Sequence, residues 1–190
     1  MRVMSGTARG LTLKVPKVGV RPTMDVVKGA IFSSLHDLIP GGRVLDLFAG
    51  SGSLGIEALS RGAASVVFVE SDRRAAQIVR ENAEKARFVP DVQIMDVFSY
   101  LDRFAQPASF ELIMADPPYA KAEGERDYAP ELLASDALWR ALTPGGIFVL
   151  EHLPGVPLPE SKRWECVRDK RYGATALAFY RHAEASPAES

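Results

Sequence analysis

Four consecutive residues, Asp116-Pro117-Pro118-Tyr119, are the part of the chain best suited to chemistry. They follow the apolar run Phe110–Ala115, which reads as a strand, so they stand at a carboxyl edge, where open α/β sheets bind ligands. The two prolines fix the backbone, and the Asp116 carboxylate and adjacent carbonyl can then accept both hydrogens of one NH2 group. Held this way, an exocyclic amine keeps its lone pair out of conjugation with its base and can attack a methyl carbon. Tyr119 offers a face on which that base can stack. Taken alone, the same residues would be an Asp-Pro turn with a surface aromatic.

Their company argues against the plainer reading. Leu45-Asp46-Leu47-Phe48-Ala49-Gly50-Ser51-Gly52-Ser53-Leu54-Gly55 reads as strand, tight turn and helix start. Gly50, Gly52 and Gly55 satisfy G-x-G-x-x-G, and Glu70 ends the next strand twenty residues after Gly50. The glycines let a ligand approach the backbone, the helix N-terminus attracts an anionic group, and Glu70 can accept both hydroxyls of a ribose. That much fits a dinucleotide equally well. Asp46, at the end of the first strand, would repel a pyrophosphate and welcome an ammonium group. S-adenosylmethionine has an ammonium, a sulfonium and a ribose, and no phosphate. The competing readings are turn chemistry for the glycines and a turn or helix cap for Asp46.

The elements that position these residues alternate. Strands are predicted at Val44–Phe48, Ser65–Glu70, Val92–Met95, Phe110–Ala115 and Gly146–Glu151, and helices at Ser53–Arg61, Asp72–Arg87, Val97–Phe104 and Glu131–Leu142. Ala75, Ile78, Val79, Ala83 and Ala86 share one face of the second of these helices, opposite its charges. Such βαβα alternation implies a parallel sheet covered on both faces. Ahead of it, Arg2–Met4 and Leu11–Val15 suggest a β-hairpin, and Thr23 a helix cap with Asp25 in the first turn. After it, Trp164–Arg168 and Thr175–Tyr180 suggest an antiparallel hairpin. The expected organisation is an N-terminal extension over 1–40, a catalytic domain over 41–181 and a disordered tail over 182–190.

Composition excludes several classes. In 190 residues, 23 Lys and Arg oppose 24 Asp and Glu, so the chain is not a uniformly basic nucleic-acid binder. A lone cysteine, Cys166, rules out an intrachain disulfide framework. No apolar run is long enough to span a bilayer and no secretory signal is evident, so the cytosol is the expected location. Charge is uneven, however. Residues 1–43 carry seven Lys and Arg against Asp25 and Asp37, residues 160–182 carry six against Glu160, Glu165 and Asp169, and the stretch between is acidic. Basic ends on an acidic body suit a small-molecule pocket flanked by surfaces for a polyanion, or simply an uneven solvated surface.

Val44 to Tyr119 resembles the class I S-adenosylmethionine-dependent methyltransferases of the N-methylating, D-P-P-Y type. The resemblance widens to nearly all of residues 2–181. Arg21-Pro22-Thr23-x-Asp25, the run Leu45–Gly62 and Phe68-Val69-Glu70 are similar to the bacterial RsmD family, which methylates the exocyclic N2 of a guanine in 16S ribosomal RNA. It implies a Rossmann-like α/β fold: a mostly parallel seven-stranded sheet with a C-terminal antiparallel hairpin, preceded by a small hairpin and helix. It also implies that Asp46, Gly50 and Gly52 cradle the methionine part of the cofactor, that Glu70 meets its ribose and Asp96 its adenine amino group, and that Phe48, Ala49, Ser51, Ser71 and Val97 also bind it. Asp116, Pro117, Pro118 and Tyr119 would hold the target guanine. Arg2, Arg9, Lys14, Lys17, Arg21 and Thr23 would contact RNA. Val26, Gly29 and Ser33 stand where the family's first helix usually has Arg, Glu and Asn, while Lys28 keeps a positive charge. The expected partner is 16S ribosomal RNA or an assembling small subunit, met by a monomer without a metal.

Other classes explain less. An NAD-dependent oxidoreductase accounts for the glycine loop, but leaves Asp116–Tyr119 idle and lacks an obvious catalytic His or Lys. A DNA adenine or cytosine amino-methyltransferase shares the chemistry, yet about forty residues ahead of the core are too few for an ordinary added recognition domain. A non-catalytic RNA-binding module would have no use for Asp116 beside a complete cofactor loop.

Overall fold

The computed structural model describes residues 1–15, 23–35, 37–120 and 124–184. In chain order the elements are α1 (Thr23–Ser34), β1 (Arg43–Leu47), α2 (Ser53–Ser60), β2 (Ser65–Val69), α3 (Arg73–Lys85), β3 (Asp91–Gln93) and α4 (Val97–Arg103). There follow β4 (Phe110–Ala115), α5 (Tyr128–Ala134), α6 (Asp136–Ala141), β5 (Leu142–His152), β6 (Trp164–Tyr172) and β7 (Thr175–His182). The seven strands form one sheet in the order β3-β2-β1-β4-β5-β7-β6. β1 to β5 are mutually parallel, and β7 enters antiparallel between β5 and β6. The expected Rossmann-like sheet with its C-terminal hairpin is therefore present.

Both faces are buried because the central strands are apolar at odd and even positions alike. Val44, Leu112, Met114 and Val149 pack with Ile31, Phe32, Ile56 and Val79 from α1, α2 and α3. Leu45, Leu47, Ile113, Phe148 and Leu150 pack with Leu101, Leu132, Leu138 and Trp164 on the other side. Asp46 shares the pleat face of Val44, which points it at α2.

The N-terminal hairpin forms around one antiparallel bridge, Arg2 to Thr12, with Val3 N–H donating to Leu11 O at 2.9 Å and Leu13 N–H to Met1 O at 2.9 Å. It lies against α2 so closely that a Cβ on Gly6 would fall 1.6 Å from the Ser60 carbonyl oxygen. Buried Glu57 ties it down, accepting the N–H groups of Met4 at 2.8 Å and Ser5 at 3.0 Å, and Arg61 Nε at 2.8 Å.

Lys28, which keeps the positive charge on the first helix, is only 2% exposed. Its Nζ donates to Arg2 O and lies 3.5 Å from Glu57 Oε2. The single helix expected over Glu131–Leu142 is two, parted at Ser135, whose extended backbone and hydroxyl cap α6 by accepting Leu138 N–H at 3.1 Å. β7 continues to His182, the residue at which a tail was expected. Residues 185–190 lie outside the described residues, as do Lys17 and Arg21, and of Thr23 only the backbone is described.

Candidate active site

The strand ends converge on a cavity of about 410 Å³ at the carboxyl edge of the sheet. Phe48, Gly50, Glu70, Ser71, Asp96 and Val97 form one side of it, and Asp116, Pro117, Pro118 and Tyr119 the other. The ends of β1, β2 and β3 thus meet the end of β4 across the gap between β1 and β4, where the strand order reverses direction. Asp46, Ala49, Ser51 and Gly52 are buried and do not line the cavity.

The glycine turn is held from beneath. Gly52 has φ +76°, a left-handed conformation that side chains resist. Gly55 has another reason to lack one: a Cβ there would sit 2.2 Å from Phe68 Cε1, so α2 could not lie so close to β2. Asp46 Oδ2 accepts the Gly55 N–H at 2.9 Å, satisfying an otherwise orphan donor of the first turn of α2. Here the helix-cap reading of Asp46 is correct. Only 1% of Asp46 is exposed, and burial, aided by the charges of Asp116 and Glu70, pushes its carboxyl up to about 8. Burial thus favours the neutral form of the carboxyl whose negative charge the sequence argument relied on.

Glu70 is the rigid acceptor at the rim. Its Oε2 takes the Gly50 N–H at 2.8 Å and its Oε1 the Asp72 N–H at 2.8 Å, so one carboxylate joins the glycine turn to the start of α3. Each oxygen retains a lone pair for a hydroxyl. Asp96 plays a double part: Oδ1 caps α4 by accepting Phe98 and Ser99 N–H at 3.0 and 3.1 Å, and Oδ2 lies 3.6 Å from Arg126. The Arg126 guanidinium sits over the rings of Phe98 and Tyr128, at 4.8 and 4.7 Å, and Tyr128 meets Phe48 edge-on at 4.9 Å.

On the opposite side, Pro117 is buried, and Asp116 and Tyr119 are half-buried. The Tyr119 hydroxyl is anchored: it donates to Glu151 Oε1 at 3.0 Å and bonds the Thr175 hydroxyl. Burial pushes this phenol well above the usual tyrosine range, so Tyr119 stays neutral and its ring stays fixed. Sequence reasoning missed Glu151, Tyr128 and Val69, which complete the wall. Glu151 carried a usable signal, since it ends the strand predicted over Gly146–Glu151. Tyr128 carried none, because only the fold brings it to Phe48.

Arg2, Arg9 and Lys14 are exposed on the N-terminal hairpin and do not line the cavity. Lys14 is already paired, 2.6 Å from Glu81 on α3.

The described wall offers carboxylates to hydroxyls and amines, apolar faces to a base, and no Lys or Arg to a phosphate. That set of acceptors suits S-adenosylmethionine, and on a sheet of this order it defines a class I S-adenosylmethionine-dependent methyltransferase. The comparison with known proteins narrows the class. The family described as Conserved hypothetical protein 95 matches residues 1–181, and the chain belongs to that family, the RsmD-like branch of these enzymes. YlbH of Bacillus subtilis is 38% identical over 186 residues, covering 95% of this chain and 98% of that protein. Ribosomal RNA small subunit methyltransferase D of Haemophilus influenzae is 33% identical over 186 residues, covering 96% and 94%. The solved structure of yhhF from Escherichia coli superposes with a TM-score of 0.78 at 32% identity, over 96% of this chain and 98% of that one.

Proposed function

We propose that this enzyme methylates the exocyclic N2 amine of a guanine in 16S ribosomal RNA. The observation that carries this reading is the meeting, in one cavity, of the Asp116–Tyr119 turn with the Glu70 rim. Relatives that span nearly the whole chain and are named ribosomal RNA small subunit methyltransferase D support the choice of RNA.

Glu70 would hold the ribose hydroxyls of S-adenosylmethionine, Asp96 its adenine amine, and Phe48 and Val97 the apolar side of the adenine. Asp46, under the glycine turn, would ionise against the ammonium group. When bound, the cofactor supplies a methyl carbon that its sulfonium has already made electrophilic. What remains for the protein is geometry and exclusion of water. Asp116 and the backbone carbonyl beside it would hold the amine hydrogens, aiming the nitrogen lone pair across the cavity. Tyr119, its hydroxyl anchored, would present a fixed face to a base taken out of its stack. The surplus proton leaves after transfer, so no strong base is needed. Arg2 and Arg9 lie on a different part of the surface and suit phosphates rather than base edges. The segment 1–40 would then serve as the RNA-contacting extension of a catalytic domain over 41–181.

Methyl transfer from labelled cofactor tests the reading, with protein-free 16S ribosomal RNA, small subunits and DNA as acceptors, followed by nucleoside analysis. The expected product is N2-methylguanosine in RNA. Label in DNA only, or in no acceptor, overturns it.

A further inference from the structure

β4 and β5 are paired in register up to Ala115 and Leu150, so the next residue of each, Asp116 and Glu151, stand side by side at the carboxyl edge of the sheet. Both line the same cavity. Glu151 also borders a smaller cavity beneath Pro117, Pro118 and Tyr119. Its carboxylate is held at one end only. Oε1 accepts the Tyr119 hydroxyl at 3.0 Å and the Thr175 hydroxyl at 2.8 Å, whereas Oε2 has no partner among the described residues. A carboxylate fixed through one oxygen, with the other left in a ligand cavity, is a directed acceptor.

We propose that Glu151 reads the target base by accepting its ring N1–H, and so determines specificity for guanine. The inference rests on the functional reading above and adds to it the group that selects the base. An amine held by Asp116 does not by itself identify guanine, since adenine and cytosine also carry one. The ring nitrogen beside the amine does. In guanine that nitrogen carries a hydrogen, whereas in adenine and cytosine it presents a lone pair. Two adjacent carboxylates match an edge composed only of donors. Against adenine or cytosine, Glu151 would face a lone pair with a lone pair and be left unpaired, and sites built around a hydrogen bond reject analogues that lack it strongly. Thr175 and Tyr119 act as positioning residues, holding Oε1 so that Oε2 points one way.

2-Aminopurine is the probe that separates amine from ring nitrogen, because it keeps the exocyclic amine of guanine and replaces N1–H with a lone pair. The methylated guanine is first mapped in wild-type product by nuclease digestion and mass spectrometry. That position is then replaced with 2-aminopurine by splinted ligation, and both RNAs are assayed with wild type and Glu151→Gln. The amide oxygen of Gln can still accept from Tyr119 and Thr175, while its NH2 can donate to the unprotonated ring nitrogen. Wild type is expected to prefer guanine by at least a hundredfold in kcat/KM, and Glu151→Gln to shrink that preference tenfold or more while keeping cofactor affinity. Thr175→Val is expected to blunt the preference and Thr175→Ser to restore it. Equal use of both RNAs by wild type, or an unchanged ratio in an active Glu151→Gln enzyme, overturns the proposal and leaves methyl transfer intact. A wild-type enzyme inactive on every RNA brings down both readings.

Discussion

Asp46→Asn should make the ligand-free protein more stable, by an amount that grows with pH. The buried carboxyl of Asp46 is raised from an ordinary 3.8 to about 8. Between those values the folded chain holds a proton that the unfolded chain has released. Stability therefore falls as pH rises through this window, and levels off above it. Each pH unit costs about 1.4 kcal/mol, so the penalty reaches about 4 kcal/mol by pH 7 and about 6 kcal/mol above pH 8. Asparagine keeps the acceptor for Gly55 N–H and has no proton to lose. Urea unfolding of wild type and variant at pH 5, 6, 7 and 8 isolates the effect, because the other titrating groups cancel in the difference. The gap between the two should widen by about 4 kcal/mol from pH 5 to pH 8. Parallel stability profiles would refute the reasoning and mean that Asp46 is ionised in the empty cleft. A cationic cofactor should oppose the penalty, so the gap should narrow when S-adenosylmethionine is present.

Three further outcomes follow from the same contacts. Glu70→Ala should weaken cofactor binding in calorimetry by about 1–3 kcal/mol, because it would remove the proposed charge-assisted bonds to the ribose hydroxyls and frees the Gly50 and Asp72 N–H groups. Replacing Arg2 and Arg9 by Ala should lower RNA affinity and flatten its dependence on salt without changing cofactor affinity; adding Lys14→Ala should do less, since Glu81 already pairs with it. Glu57→Ala should cost about 3–5 kcal/mol in urea unfolding, because it strands the buried Lys28 charge and the N–H groups of Met4 and Ser5. Lys28→Met should cost clearly less, since Glu57 keeps Arg61.

What the sequence discloses and what it hides divide along physical lines. The glycine turn, Glu70 and Asp116–Tyr119 were legible because their backbone conformation and strand-end placement are set within a few residues. The parallel sheet covered on both faces followed from alternation of strands and helices. The break at Ser135 was not legible: its flanks are rich in Ala and Leu, and a hydroxyl cap decides against propensities that favour one continuous helix. The early start of β5 was masked by Pro144-Gly145-Gly146, which reads as a turn but lies within the strand Leu142–His152. The burial of Lys28 was not legible, because residue type shows a charge without showing its partner. Glu151 and Thr175 meet only through the pairing of β5 with β7, in which His152 lies opposite Ala176, and nothing local announces that register.

Asp116→Ala tests the account most directly, with methyl transfer to 16S ribosomal RNA and cofactor affinity measured on the same preparation. Turnover should be nearly abolished while S-adenosylmethionine binds within a few-fold of wild type, because in the proposed mechanism Asp116 would grip the amine, and the variant leaves the rim at Glu70 untouched. An Asp116→Ala enzyme that still methylates RNA at a comparable rate would reduce Asp116–Tyr119 to a rigid turn and contradict the account.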